Sequence, residues 1–101
     1  LARSGGTPRD VAALDPQRLA YCQLADARGP RPASDAALRD EARSGRCLLG
    51  EGELPLAELL GALPAGLPLG VETPCREHAG KSVIERGRLA GAAAHRLLDR
   101  L

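Results

Sequence analysis

The chain has 101 residues, of which 14 are basic and 13 acidic, so its net charge is +1. The charges are spread along the chain, which argues against nucleic-acid binding through a basic block and against an acidic interaction tail. Gly, Pro or charged residues interrupt every apolar stretch, which excludes a membrane-spanning segment, and the length allows one small domain at most.

The cysteines indicate a reducing, cytoplasmic compartment. Cys22, Cys47 and Cys75 lie far apart, with no Cys-x-x-Cys pair and no His at a spacing expected for zinc. We therefore expect free thiols that are buried or half-buried in the core.

The aromatic content predicts a thin core. Tyr21 is the only aromatic residue, and Trp, Phe and Met are absent. Because aromatic rings bury the most area per residue, a core of Leu, Val, Ile and Ala would stabilise a free-standing domain of this length only weakly. Together with the missing initiator Met, this composition favours a piece of a longer protein.

The first half of the chain predicts a helix, a strand and a second helix. Thr7 can cap the first helix, and Asp15-Pro16 ends it because the residue before Pro is pushed out of the helical region. Ser34 can cap the second helix, which should end at Gly45. The predicted ranges are residues 8–14 and 35–43 for the helices and 19–26 for the buried strand between them.

The second half repeats this alternation. Pro55 begins a helix with one apolar stripe, and Pro64 closes it. Ser82 and Glu85 form a capping box at the start of the last helix. The predicted ranges are residues 55–63 for a helix, 67–73 for a buried strand and 83–101 for the last helix. Strands that alternate with helices indicate an α/β fold with a parallel sheet.

The sheet should not end with these two strands. Parallel strands need neighbours on both sides before they can close a core. We therefore expect the sheet to continue upstream of Leu1.

Side-chain alternation places polar groups at the ends of both strands. Glu72 lies on the face opposite to Leu69 and Val71, which should meet the helices, and Gln23 should lie level with Glu72. A carboxylate and an amide at the C-terminal ends of adjacent strands can bind a hard divalent cation through oxygen. The structural alternative is that Glu72 caps a loop or pairs with Arg76, and that Gln23 bonds to the backbone.

Four segments follow one another along the predicted strands and turns: Arg3-Ser4-Gly5-Gly6-Thr7-Pro8, Tyr21-Cys22-Gln23-Leu24-Ala25-Asp26, Gly50-Glu51-Gly52-Glu53-Leu54-Pro55-Leu56 and Val71-Glu72-Thr73-Pro74. In this order they resemble the closing part of sugar phosphate isomerases and epimerases, the xylose isomerase-like TIM barrels. The resemblance covers nearly the whole chain. It implies that residues 1–101 are the C-terminal part of one (β/α)8 barrel domain, with strand seven around Gln23 and strand eight around Glu72.

The resemblance also implies a divalent metal, Mn²⁺ or Mg²⁺, held by carboxylates and a His at the mouth of the barrel. Glu72 matches the strand-eight Glu, which is a ligand and, in the epimerases, an acid or base. Gln23 stands where a His is common, and an amide oxygen is the weaker ligand for softer metals. Arg46 resembles a substrate-contacting Arg of the loop after strand seven; its alternative is a solvated Arg at a helix end.

The predicted function is a metal-dependent isomerase or epimerase that abstracts a proton next to a carbonyl of a sugar, sugar phosphate or related polyol. His78, in the loop after the second strand, is a further candidate for substrate contact. The alternatives are a dehydratase or endonuclease of the same superfamily, or a non-catalytic barrel remnant or binding module. The chain by itself should be inactive, because Glu72 and Gln23 are too few ligands to hold an ion tightly.

Overall fold

A computed structural model describes residues 1–101 as an α/β fold with four helices and a two-stranded parallel sheet, which confirms the coarse fold class. No helix combines the length and the apolar character needed to cross a membrane. The helices are Pro8–Ala12 (α1), Asp35–Ser44 (α2), Leu56–Ala62 (α3) and Val83–Asp99 (α4), and the strands are Cys22–Leu24 (β1) and Leu69–Val71 (β2). Three 3-10 turns complete the order, at Ala2–Ser4, Pro16–Arg18 and Arg76–His78.

Polar side chains begin three of the helices where the sequence predicts them. Thr7, Ser34 and Ser82 each accept a hydrogen bond from a backbone N–H three residues ahead, at 3.4, 3.1 and 3.1 Å. Glu85 completes the predicted capping box by accepting from the N–H of Ser82, and Asp10 forms a second box with Thr7. These bonds satisfy donors that a helix start otherwise leaves unpaired, and the hydrogen bonds from Thr7 lower the pKa of the Asp10 carboxyl.

Both strands are shorter than predicted. The apolar runs 19–26 and 67–73 pair with each other over only three residues each. Each strand pairs with only one other strand. The backbone beyond the paired residues forms bridges with other segments of the chain. Beyond Leu24, for example, Asp26 forms an antiparallel bridge with Cys47. The predicted ends of α1 and α4 are also wrong by two residues, since these helices stop at Ala12 and Asp99.

The core lies on one face of the sheet. Leu69 and Val71 lie on this core face, the face of Leu24, but their side chains remain 39 % and 40 % exposed because α4 covers β2 only in part. The sequence predicts that Leu69 and Val71 pack against helices, and in the structure this packing is only partial. The buried cluster joins β1 to α3 and α4 through Leu24, Leu56 and Leu97, and Leu49 adds a side chain from the segment after α2.

Asp26 holds the segment after α2 in place. It is only 1 % exposed and is the one charged residue of the core. Its carboxylate accepts hydrogen bonds from the backbone N–H groups of Gly50, Gly52 and Leu54 at 2.9, 3.0 and 3.2 Å, and from that of Ala27 at 2.9 Å. A Cβ at position 52 would overlap this carboxylate and lie 2.6 Å from the carbonyl oxygen of Ala27. The close approach therefore requires glycine.

Candidate functional site

Gln23 and Glu72 extend from the face of the sheet opposite to the core. The parallel register aligns Gln23 with Gly70, and the N–H of Glu72 donates to the carbonyl oxygen of Leu24 at 2.9 Å. Because side chains alternate along a strand, Glu72 lies on the Gln23 side while Leu24 points into the core. Gly70 lies beside Gln23 on this face, since a Cβ at position 70 would make an ordinary van der Waals contact of 3.5 Å with the Cγ of Gln23.

A depression of about 290 Å³ joins these two side chains with Arg46. Ala25, Ala42 and Pro74 contribute to its walls. It lies beyond the C-terminal ends of β1 and β2, which is where parallel α/β folds bind ligands. Three of the four predicted site residues thus border one cavity.

The polar tips of Glu72 and Gln23 are exposed and make no hydrogen bond or ion pair with the rest of the chain. The expected partner of Glu72 is engaged elsewhere, because Arg76 donates to the Asp40 carboxylate at 2.9 Å and to the Ser44 hydroxyl at 2.8 Å. The alternative in which Glu72 caps a loop or pairs with Arg76, and Gln23 bonds to the backbone, is therefore wrong.

Arg46 is held by its neighbours at the rim of the depression. Its Nη1 lies 3.1 Å from Oε1 of Glu41, and its backbone N–H donates to the carbonyl oxygen of Pro74 at 3.1 Å. Arg3 donates to both carboxylate oxygens of Glu41 at 3.0 Å. The Arg46 side chain is only 18 % exposed, so the alternative of a solvated helix-end Arg is wrong. Two guanidinium groups on one carboxylate leave one positive charge in excess, which favours an anionic ligand group.

His78 lies in a different cavity from Arg46. This second cavity has a volume of about 400 Å³, and Val83 and Gly87 of α4 contribute to its wall. His78 is half-buried at the end of the 3-10 turn before α4, and its Nδ1 lies 3.0 Å from Nζ of Lys81. Glu72 borders both cavities.

The three cysteines are free thiols, as predicted. The surroundings of two of them, Cys47 and Cys22, raise the thiol pKa and so reduce reactivity. Burial, followed by the neighbouring Asp26 carboxylate, raises the pKa of the Cys47 thiol to about 11. Burial also raises the pKa of the Cys22 thiol. Since the thiolate is the nucleophilic form, Cys47 and Cys22 remain inert thiols at neutral pH.

A cluster of metal-ligand types lies in the turn after β2 and was not predicted from the sequence. The Sγ of Cys75, a carboxylate oxygen of Glu77 and a ring nitrogen of His78 all lie within 4.8 Å of one another. The expectation that no His stands at zinc spacing is wrong here, because Cys75 and His78 are three residues apart on one turn. This spacing was the available signal. No comparable signal marks Glu41, whose partner Arg3 lies 38 residues away.

Comparisons with known proteins give no relative from which function can be transferred. A scan against protein-family models, a search of curated proteins and a search of solved structures each find no match. Function must therefore be inferred from the side chains that this fold brings together.

Proposed function

We propose that this chain contributes Glu72, Gln23 and Arg46 to the metal and substrate site of a sugar isomerase or epimerase, as the C-terminal part of a xylose isomerase-like (β/α)8 barrel. The reaction is proton transfer next to a carbonyl of a sugar, sugar phosphate or related polyol. One observation carries the proposal: an unpartnered carboxylate, an unpartnered amide and a half-buried guanidinium border one depression at the ends of adjacent parallel strands.

The donor set suits a hard divalent ion. Glu72 and Gln23 both offer oxygen, the ligand atom that Mg²⁺ and Mn²⁺ prefer, and the protein engages neither oxygen. Two donors leave most of an octahedral shell to water, substrate and other side chains. When bound, the ion would supply positive charge beside the substrate oxygens on which negative charge develops.

Glu72 is the group placed to move a proton. Its main chain is fixed by the hydrogen bond to Leu24, while its carboxylate reaches into the depression. As a carboxylate it can take a proton from the carbon next to a carbonyl and return it to a neighbouring position. The Gln23 amide cannot do this, so its role is to orient. Arg46 binds an anionic or hydroxyl group of the substrate with the positive charge that Glu41 does not neutralise.

The uncovered sheet supports the barrel part of the proposal. Tyr21, Leu69 and Val71 retain 63 %, 39 % and 40 % exposure, and each strand pairs on one edge only. Only nine of the 101 residues are buried. Further parallel strands, as in a complete barrel of about 250 residues, would cover both edges and these apolar side chains.

Replacement of Glu72 tests the proposal in the full-length protein. Glu72→Gln keeps the shape of the side chain but removes its charge, so turnover on sugar and sugar phosphate substrates should fall by about 100-fold or more. Mn²⁺ binding, measured by titration calorimetry, should weaken in the same variant. Glu58→Gln is the matched control, because Glu58 is exposed on α3 and borders neither cavity. Unaltered turnover and Mn²⁺ affinity in Glu72→Gln would contradict the proposal and favour a non-catalytic binding module.

A further inference from the structure

Cys75, Glu77 and His78 bring three kinds of metal ligand to one turn. The N–H of His78 donates to the carbonyl oxygen of Cys75 at 3.1 Å and closes a 3-10 turn. Residues three apart in such a turn lie on the same side of it. As a result, the sulfur, one carboxylate oxygen and one ring nitrogen all lie within 4.8 Å of one another.

These distances are close to those of a tetrahedral zinc site. Bonds of about 2.0 to 2.3 Å place the ligand atoms of zinc roughly 3.3 to 3.8 Å apart. Side-chain rotations of Cys75, Glu77 and His78 would have to shorten the longest of these distances, which is at most 4.8 Å, by about 1 Å. A thiolate with an imidazole selects Zn²⁺ over Mg²⁺ and Mn²⁺, which the oxygens of Glu72 and Gln23 favour.

The backbone that carries the ligands is tied to the segment after α2. Cys75 forms an antiparallel bridge with Gly45, and the N–H of Arg46 donates to the carbonyl oxygen of Pro74 at 3.1 Å. The ligands therefore start from fixed main-chain positions, which a tight site requires.

Two cations lie against the ligands, and their positions are compatible with a bound ion. Nη1 of Arg28 donates to Oε1 of Glu77 at 2.8 Å, which leaves Oε2 for a metal and Arg28 as the group that orients the carboxylate. Nζ of Lys81 lies 3.0 Å from Nδ1 of His78. Since an ammonium group only donates, Nδ1 presents its lone pair to Lys81, and a metal ion would take that lone pair in place of this exposed lysine.

We propose that Cys75, Glu77 and His78 bind one Zn²⁺, with solvent as the fourth ligand. The cavity of about 400 Å³ that borders Cys75, His78 and Glu72 provides the room for this fourth position. On binding, the thiol of Cys75 releases its proton to solvent as the metal–sulfur bond forms. This site is separate from the oxygen site of the proposed function, although Glu72 borders the same cavity.

Co²⁺ is the probe for the test, because a tetrahedral cobalt site with a thiolate ligand gives an intense sulfur-to-metal charge-transfer band and visible d–d bands. Titration of the intact protein under a non-thiol reductant should show both at one equivalent, and Zn²⁺ should displace them. Cys75→Ser should abolish the charge-transfer band, and His78→Gln should lower the affinity by about 10-fold or more. Cys22→Ser and His95→Gln are the matched controls, since neither residue belongs to the cluster.

Glu72→Gln separates this site from the proposed isomerase site. The cobalt spectrum and affinity should be unchanged in this variant, whatever happens to turnover. If the unaltered protein shows no charge-transfer band at saturating Co²⁺, the zinc site is overturned without reference to any variant. Retention of full affinity by Cys75→Ser and His78→Gln, with folding checked by circular dichroism, would overturn it as well.

Discussion

The backbone N–H of Glu72 donates to the carbonyl oxygen of Leu24 over 2.9 Å, one residue beyond the last register pair of the sheet. This bond fixes the main chain of Glu72 while its carboxylate remains exposed and unpartnered. Such a side chain contributes little to stability, because substitutions at exposed positions usually change it by about 0.5 kcal/mol or less. The role of Glu72 in function can therefore be measured with little disturbance of the fold.

Arg46→Gln should weaken the binding of anionic substrates. The substitution removes the positive charge at the rim of the depression, so the KM for a sugar phosphate should increase by about 10-fold or more, with a smaller change for the unphosphorylated sugar. Arg43→Gln is the control, since Arg43 is an exposed residue of the last turn of α2. Steady-state kinetics with the paired substrates gives the comparison. Equal changes in KM for both substrates would contradict a role in binding the anion.

Asp26→Asn should destabilise the fold by about 2 to 4 kcal/mol. The amide replaces one acceptor oxygen by an NH₂ group that faces backbone N–H donors, and it removes the charge that strengthens the remaining bonds. Asp99→Asn, at the exposed end of α4, should change the free energy of unfolding by about 0.5 kcal/mol or less. Urea denaturation of both variants measures the difference. Equal stability of the two would show that the buried carboxylate is not needed.

Gly52→Ala and Gly61→Ala should have opposite effects on stability. At position 52 the added Cβ overlaps the Asp26 carboxylate, and relief requires a backbone shift that costs about 1 to 3 kcal/mol. At position 61, inside α3, a Cβ meets no atom within 4 Å, so the better helix former should stabilise by about 0.5 to 1 kcal/mol. Thermal unfolding of both variants is the measurement. A stabilising Gly52→Ala would contradict the close approach to Asp26.

Cys47 should make stability fall in alkaline solution. Its thiol pKa is about 11 in the folded chain against an ordinary value of 9.0, so the unfolded chain loses this proton first as the pH rises. The stabilisation is fully present below pH 9 and is lost as the pH increases through about 11. The free energy of unfolding should therefore decrease more steeply over this range in the unaltered protein than in Cys47→Ala. If the free energy of unfolding falls equally steeply with pH in the unaltered protein and in Cys47→Ala, burial does not raise the pKa of this thiol.

Local chemistry made much of this structure predictable. The capping residues Thr7, Ser34 and Ser82 act on N–H groups three residues away, so short windows of sequence contain the whole interaction. The side of the sheet on which Gln23 and Glu72 lie follows from alternation alone. Strand length is different, because it depends on the partner: only three residues of each apolar run find one.

Long-range partners account for what the sequence analysis could not find. Asp26 ends the apolar run 19–26, but its neighbours do not show how a buried charge is stabilised there, because three of its four hydrogen-bond donors lie 24 to 28 residues away. Glu41 is likewise one of several acidic residues until the fold places Arg3 and Arg46 against it. The ligand types of Cys75 and His78 were visible at close spacing, but only the 3-10 turn shows that their side chains meet.

Because one carboxylate accepts from Gly50, Gly52 and Leu54, these three amides become exposed to solvent together. A fluctuation that swings the Asp26 side chain outward uncovers all three at once, so hydrogen–deuterium exchange should give the three amides similar protection factors. Asp26 lies two residues after β1, whose Gln23 borders the depression. One carboxylate therefore links a loop that does not line the depression to the strand that does.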